Sequence, residues 1–211
     1  MATSTASKPR RTAPREARRR QLIDATMKCI ARKGLGNTSI GDVASEAGLS
    51  QGIVNLHFES KDNLLTETLR TLANEYREQF DKTLETADGK AADALLALMR
   101  MDLRPKLLDR QKLAIWFAFW GEVKSRPTYR KICDEYDRYY DSVVARLCAE
   151  IIEDGGYDAD PAAVAEALTS MTNGIWLSCL ISPQDFDRDV AWSAIMSYLS
   201  SVFPQHYETN T

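Results

Sequence analysis

Apolar residues recur every three or four positions along most of the chain, and no stretch alternates apolar with polar as a half-buried strand would. Glycines and prolines fall chiefly between these periodic stretches. The spacing predicts a helix over about 16–33, with Leu22, Ile23, Met27, Ile30 and Ala31 as its buried stripe. Longer helices follow at about 61–86, 90–103, 106–124, 128–153, 161–181 and 187–203. Their breaks are Asp88-Gly89, Pro105, Arg126-Pro127, Gly155-Gly156 with Asp160-Pro161, and Ser182-Pro183. Asp160 followed by Pro161 reads as a helix start, with Asp as N-cap and Pro in the first turn.

The segment between 39 and 61 carries the most chemistry. Ile40, Val43, Ala44 and Ala47 form the apolar stripe of a short helix. Gly48 follows, where a chain can turn left-handed at least cost because no Cβ intrudes. Leu49 plugs the corner, and Ser50 is suited to cap a second helix with its hydroxyl. Ile53 and Val54 face back toward the first helix, leaving Gln51, Gly52, Asn55 and Leu56 outside. Ser60 caps the long helix that begins at Lys61 and carries Leu64, Leu65, Leu69, Leu72 and Tyr76. Small residue, glycine turn, apolar plug and capped second helix are what a major-groove reading unit needs. The fold expected is all-α, with about nine helices. It comprises a basic arm over 1–14, a three-helix helix-turn-helix domain over 15–62, and a helical ligand-binding and dimerisation domain over 63–205.

Charge sharpens the picture once it is divided. The net charge of −3 conceals a segment, residues 1–20, in which Lys8, Arg10, Arg11, Arg15, Arg18, Arg19 and Arg20 stand against Glu16 alone. Phosphate attraction acts within about one Debye length, ~8 Å in physiological salt, so local excess matters more than the total. The arm is expected to touch phosphates or the minor groove. It lacks the apolar stretch of a secretory leader. The longest apolar run, Leu113 to Trp120, has eight residues and is too short to span a bilayer. Cys29, Cys133, Cys148 and Cys179 are scattered, and the two histidines, His57 and His206, form no cluster with them. The expectation is four thiols in a reducing cytoplasm, without metal, disulfide or cofactor. No GxSxG, HExxH, GxGxxG or P-loop supports an enzyme or names a catalytic residue.

The run from Arg20-Gln-Leu-Ile-Asp-Ala through Lys33-Gly-Leu-Gly-Asn-Thr-Ser-Ile to His57-Phe-Glu-Ser-Lys-Asp-Asn-Leu-Leu65 resembles the N-terminal domain of the TetR family of regulators. The resemblance implies palindromic operator DNA as partner. Gln51, Gly52, Ile53 and Asn55 would lie near base edges, and Thr38, Ser50, His57 and Lys61 near phosphates. Asn55 and His57 stand where aromatic residues are frequent in that family. It also implies a homodimer formed by the last two helices. Val164, Leu168, Met171, Ile175 and Leu180 line one face of the first, and Ala191, Ile195, Tyr198, Leu199, Val202 and Phe203 one face of the second. A short reading unit buries too little area to hold DNA tightly alone, so pairing half-sites is physically sensible.

Residues 113–140 hold Trp116, Phe117, Phe119, Trp120, Tyr129, Tyr136, Tyr139 and Tyr140, and Trp176 sits on a later helix. Glu122, Asp134, Asp137 and Asp141 lie close by in sequence. Rings edged by carboxylates suit a quaternary ammonium, which gains about 0.5–2 kcal/mol from a well-placed ring face. The plainer alternative is that these rings fill a helical core. Trp116-Phe-Ala-Phe-Trp120 and Asn173-Gly-Ile-Trp-Leu177 resemble segments of the choline-responsive repressors of glycine betaine synthesis, with Asn173 where an acidic residue is common. That implies a choline site among Trp116, Trp120, Tyr136, Tyr140 and Trp176. A TetR-type regulator of a catabolic or efflux operon with another aromatic or cationic ligand, an activator, a helical enzyme and an architectural DNA-binding protein remain the alternatives.

Overall fold

The computed structural model describes residues 15–87 and 89–207. Among them lie nine helices and no strand. Lys8, Arg10 and Arg11 of the expected arm fall outside the described residues. α1 (Arg15–Lys33), α2 (Ile40–Glu46) and α3 (Gln51–Phe58) close around one small core. That core holds Leu22, Ile23, Cys29, Val43, Ala44, Val54 and Phe58, together with Leu64 from the next helix.

Local signals explain the joints of this head. Ser39 caps α2 by accepting from the Asp42 N–H at 3.1 Å, and the Asp42 carboxylate returns to the Ser39 N–H at 3.0 Å. This capping box was overlooked in the sequence, although its Ser-x-x-Asp spacing is legible there. Lys33 and Ser39 together hold the Asp42 carboxyl well below the usual carboxylate range. α2 then ends where Leu49 N–H reaches back to Ala44 O at 2.8 Å, a turn that places Gly48 at φ 64°. The space around Gly48 is open, so the backbone angle alone requires glycine there.

α4 (Lys61–Glu85) starts at Ser60, whose hydroxyl accepts from the Asn63 N–H at 3.1 Å. It is the spine of the molecule. Leu64 belongs to the head core, Leu65, Leu69 and Leu72 to a junction core with Ile115, Phe119, Tyr129 and Ile132, and Phe80 to the main body core. The body comprises α5 (Ala91–Asp102), α6 (Arg110–Gly121), α7 (Pro127–Gly155), α8 (Pro161–Ile181) and α9 (Arg188–Val202). α6 begins four residues later than its periodicity predicts. Asp109 caps it by accepting from the Lys112 N–H at 3.0 Å, and the preceding Leu107 and Leu108 lie in a turn closed onto Arg104 O. α7 ends in a left-handed cap at Gly156, φ 62°.

The predicted dimer stripes need correction. Val164, Leu168, Ala191, Ile195, Leu199 and Phe203 are buried in their own protomer's core, because α8 and α9 turn their most apolar faces toward α5 and α7. The faces left open carry Leu177, Ile181 and Val190, with relative exposures of 41%, 69% and 65%. Gly174, Ser178, Ala194, Ser197 and Ser201 are exposed beside them.

Candidate functional site

Two surfaces carry the chemistry, and α4 runs between them. On α3, Gln51, Gly52 and Asn55 are exposed on one face, joined by Leu56 at 72% exposure. Leu56 faces outward beside Asn55, and an apolar tip next to an amide is suited to a thymine methyl. Ser50 occupies the N-cap position but makes no side-chain capping bond, so its hydroxyl stays uncommitted. Lys61 is half-buried and reaches only Gly36 O, at 3.5 Å.

Three of the residues expected at the DNA behave differently. Thr38 is 1% exposed, and its hydroxyl donates to Gly34 O at 2.9 Å. It shapes the loop before α2 and has no free hydroxyl to offer a phosphate. Ile53 is half-buried against the head core, not standing among base edges. His57 is half-buried, with Nδ1 buried and unpaired among the described residues. Burial first, then Arg15, Arg19 and Arg18, push its pKa below the ordinary histidine value. Near neutral pH it can therefore offer an N–H but not a full charge.

Two arginines counted with the basic N-terminal stretch are also committed internally. Arg19 reaches Glu67 at 3.1 Å and His57 O at 2.8 Å, with its guanidinium 4.5 Å from the Phe58 ring centre. Arg20 pairs with Asp24 at 3.0 Å and, more closely, with Glu75. Glu75 also takes Lys112 of α6 at 3.1 Å. One carboxylate on α4 thus ties α1 of the head to α6 of the body.

The body contains a cavity of about 480 Å³. All five residues proposed from sequence, Trp116, Trp120, Tyr136, Tyr140 and Trp176, line it. Trp116 and Trp120 share a helical face, their ring centres 6.0 Å apart and tilted by 46°. Tyr136 donates its hydroxyl to Asn74. Phe117, Phe119 and Tyr129 are core residues instead; Phe119 and Tyr129 meet edge-on at 5.1 Å in the junction core. Tyr139 reaches the cavity, but Arg77 covers one of its faces at 4.1 Å.

Sequence reasoning missed Tyr76 and Phe80, which enter the cavity wall from α4, and Glu166, which enters from α8. Tyr76 is set edge-on to Trp176 at 5.6 Å and to Trp116 at 6.5 Å. Its role was invisible because the spacing on α4 reports only that it faces inward. Asp134, Asp137 and Asp141 also line the cavity, whereas Glu122 turns away to Ser125 at 2.7 Å. Asp134 is bound to Arg138 at 2.7 Å and Asp141 accepts from Thr169 at 3.1 Å. Asp137 has no such partner among the described residues. It is an exposed residue that opens into the cavity, with protein crowding one side of its carboxyl. That desolvation, with Asp141 and Asp134 nearby, raises its pKa to about 6.

Behind the rings sits Asp102, the last residue of α5 and only 1% exposed. Its carboxyl accepts the Tyr76 hydroxyl at 2.8 Å and the Tyr140 hydroxyl at 3.1 Å. Its backbone carbonyl accepts Trp176 Nε1 at 3.1 Å. A second cavity, of about 650 Å³, lies on the side of the head and is lined by Arg20, Asp24, Glu75 and Lys112. Tyr76, Trp116 and Trp176 border both cavities, so a single aromatic wall separates them.

Comparison with known proteins now decides the family. Residues 22–68 match the pattern of the bacterial regulatory proteins of the tetR family, and residues 91–204 match that of the BetI-type transcriptional repressor C-terminal domain. The chain belongs to the TetR family. Its relatives include the HTH-type transcriptional regulator BetI of Burkholderia thailandensis, 33% identical over 194 residues, covering 88% of this chain and 93% of the relative. The BetI protein of Escherichia coli strain SE11 is 26% identical, covering 89% and 94%. A transcriptional regulator of Pseudomonas aeruginosa PAO1 shares the fold with a TM-score of 0.82 at 28% identity, covering 93% of this chain and 95% of its own. A regulator of Saccharomonospora viridis, solved in complex with choline, superposes with a TM-score of 0.79 at 24% identity, covering 88% and 96%. This TetR-family chain is a transcriptional repressor with a BetI-type C-terminal domain. No described helix is long and apolar enough to cross a membrane.

The burial of Thr38 yields a direct test. Thr38→Val keeps the shape but removes the bond to Gly34 O, so the urea midpoint should fall by an amount worth about 1 kcal/mol. An unchanged midpoint with weaker DNA binding would restore the phosphate role.

Proposed function

We propose that this TetR-family repressor binds a palindromic operator as a homodimer through α3. We further propose that a quaternary amine, choline or a close analogue, occupies the aromatic cavity and releases the DNA. The observation that carries this reading is the meeting of eight aromatic side chains from α4, α6, α7 and α8 with a carboxylate, Asp137, that has no partner among the described residues, around one cavity. A trimethylammonium head donates no strong hydrogen bond, so ring faces and a nearby carboxylate are its natural hosts. The choline complex of the Saccharomonospora viridis regulator, a protein of the same fold, supports the choice of ligand. The reading head is proposed to span residues 15–62, a division supported by the small core that α1 to α3 share with Leu64 at the start of α4.

Release requires the ligand to prefer one arrangement of the heads over another. Tyr76 borders the cavity, and its neighbour Glu75 holds Arg20 of the head and Lys112 of α6. A shift of the aromatic wall on binding would therefore be passed to α1 within one residue of α4. Typical coupling of about 1–3 kcal/mol corresponds to an operator affinity changed about 5–150-fold.

Gln51→Ala and Asn55→Ala should each narrow the gap between operator and scrambled DNA, by about 1–3 kcal/mol for a lost bidentate base contact. Equal discrimination by wild type and variants in a fluorescence-anisotropy titration would remove α3 as the reader.

Dimerisation is proposed through the open faces of α8 and α9, where exposed Leu177, Ile181 and Val190 lie among small residues. Ile181→Asp combined with Val190→Asp should sediment as a monomer with unchanged helical circular dichroism, and should lose most operator affinity. A variant that still sediments as a dimer would place the interface elsewhere.

The ligand is tested by calorimetry with choline and with 3,3-dimethylbutanol, its uncharged counterpart of the same shape. Choline should bind more tightly by at least tenfold, and only choline should weaken operator binding. Equal binding of the neutral alcohol would reduce the cavity to an apolar pocket and end the cation assignment.

A further inference from the structure

Asp102 is a buried acid without a basic partner. The groups that face it are Tyr76 from α4, Tyr140 from α7 and Trp176 from α8, and no lysine, arginine or histidine pairs with it among the described residues. A carboxylate so placed is costly unless something positive comes close. The protein supplies three hydrogen bonds to this residue but no cation. All three donors are rings, and all three rings form the wall of the ligand cavity.

Resting on the cation reading of that cavity, we propose that Asp102 is its positioning residue. It holds Tyr76, Tyr140 and Trp176 against the cavity, and as the carboxylate behind them it favours a cation over a neutral ligand of the same shape.

The geometry gives it two means of doing so. Each phenol spends its O–H on Asp102, so neither hydroxyl hydrogen is free to meet the ligand while both rings stay in the wall. The anion behind the wall also acts across low-dielectric protein, where a charge is felt over several ångströms. Burial raises the carboxyl to about 7, opposed by the Tyr76 and Tyr140 hydrogen bonds, so the empty site near neutral pH is a mixture of acid and carboxylate. A cation arriving in the cavity favours the carboxylate. The proton leaves the Asp102 carboxyl for the buffer, and the ligand's positive charge replaces it. Cation binding and proton release are then one equilibrium.

The test is calorimetry near pH 7 in two buffers of different ionisation enthalpy, on wild type, Asp102→Asn and Asp137→Asn. Asparagine matches the size of Asp102, can accept from one phenol and can donate to the other. Wild type should release protons on binding choline and none on binding 3,3-dimethylbutanol. Asp102→Asn should bind choline about tenfold more weakly, bind the neutral alcohol as wild type does, and lose most of the proton release. Asp137→Asn should keep the part of the release that belongs to Asp102. Should Asp102→Asn fail to fold by circular dichroism, the Tyr76→Phe, Tyr140→Phe variant keeps both rings and unhooks them from the carboxyl. It should lower choline affinity selectively. Equal loss for choline and the alcohol would show that Asp102 merely packs the wall, and unchanged choline binding, or release that vanishes entirely in Asp137→Asn, would also overturn the proposal. Wild-type binding of the alcohol as tightly as choline would instead overturn the cation reading itself, and this inference with it.

Discussion

Burial of α4 along its whole length is the constraint from which the arrangement of both functional surfaces follows. At 1.5 Å per residue its 25 residues span about 37 Å, and the helix contributes to the head core, the junction core and the body core in turn. Close-packed interiors respond to a displaced side chain by shifting as units, because few voids absorb the movement. A helix pinned in three cores cannot tilt in one of them alone. Glu75 adds a polar tie at the level where the head meets α6, and the adjacent Tyr76 meets the cavity. The cavity wall and the tie to the head are thus separated by a single step along one helix.

The reading head illustrates how local chemistry sets a global geometry. The Ser39–Asp42 box fixes where α2 begins, and Gly48 fixes the angle at which the chain leaves it. Val54 and Phe58 then fasten α3 into the same core as Leu22 and Leu64. The exposed side of α3 is what remains, and it carries amides, a glycine and one leucine. Arg19 lies over Phe58 and bonds the His57 carbonyl, so the end of the reading helix is anchored by a residue that composition alone would assign to phosphate binding.

Much of this was legible in the sequence where the signal is local. Gly48, Ser60 and Pro161 punctuate helices through conformational preferences that do not depend on distant residues, and the structure has each at its joint. The density of aromatic residues between 113 and 140 pointed to a cavity, and five of the eight line it. Contacts between distant segments were not legible. Asp102 lies 26 residues from Tyr76, 38 from Tyr140 and 74 from Trp176, so no spacing rule could join them. Six of the eleven residues expected at the dimer seam are covered for a related reason: periodicity shows that a face is apolar but not whether its own protomer covers it. Leu168 and Ile195 are covered, while Leu177 and Ile181, off the main stripe, stay open. Thr38 looked like a loop hydroxyl available to DNA, and only the folded chain shows it turned onto Gly34.

Of the four tryptophans in the chain, three stand in the cavity wall: Trp116, Trp120 and Trp176. The fourth, Trp192, is on α9 beneath the guanidinium of Arg100, 4.8 Å from its ring centre. Indole emission depends on the charges and polarity around the ring. Three of the four indoles of this protein therefore report on the surroundings of the aromatic cavity without any attached dye. On the proposed cation reading, a ligand entering among them would change the colour and yield of that emission directly. The repressor would then carry its own optical gauge of occupancy, set on the wall shared by the two cavities.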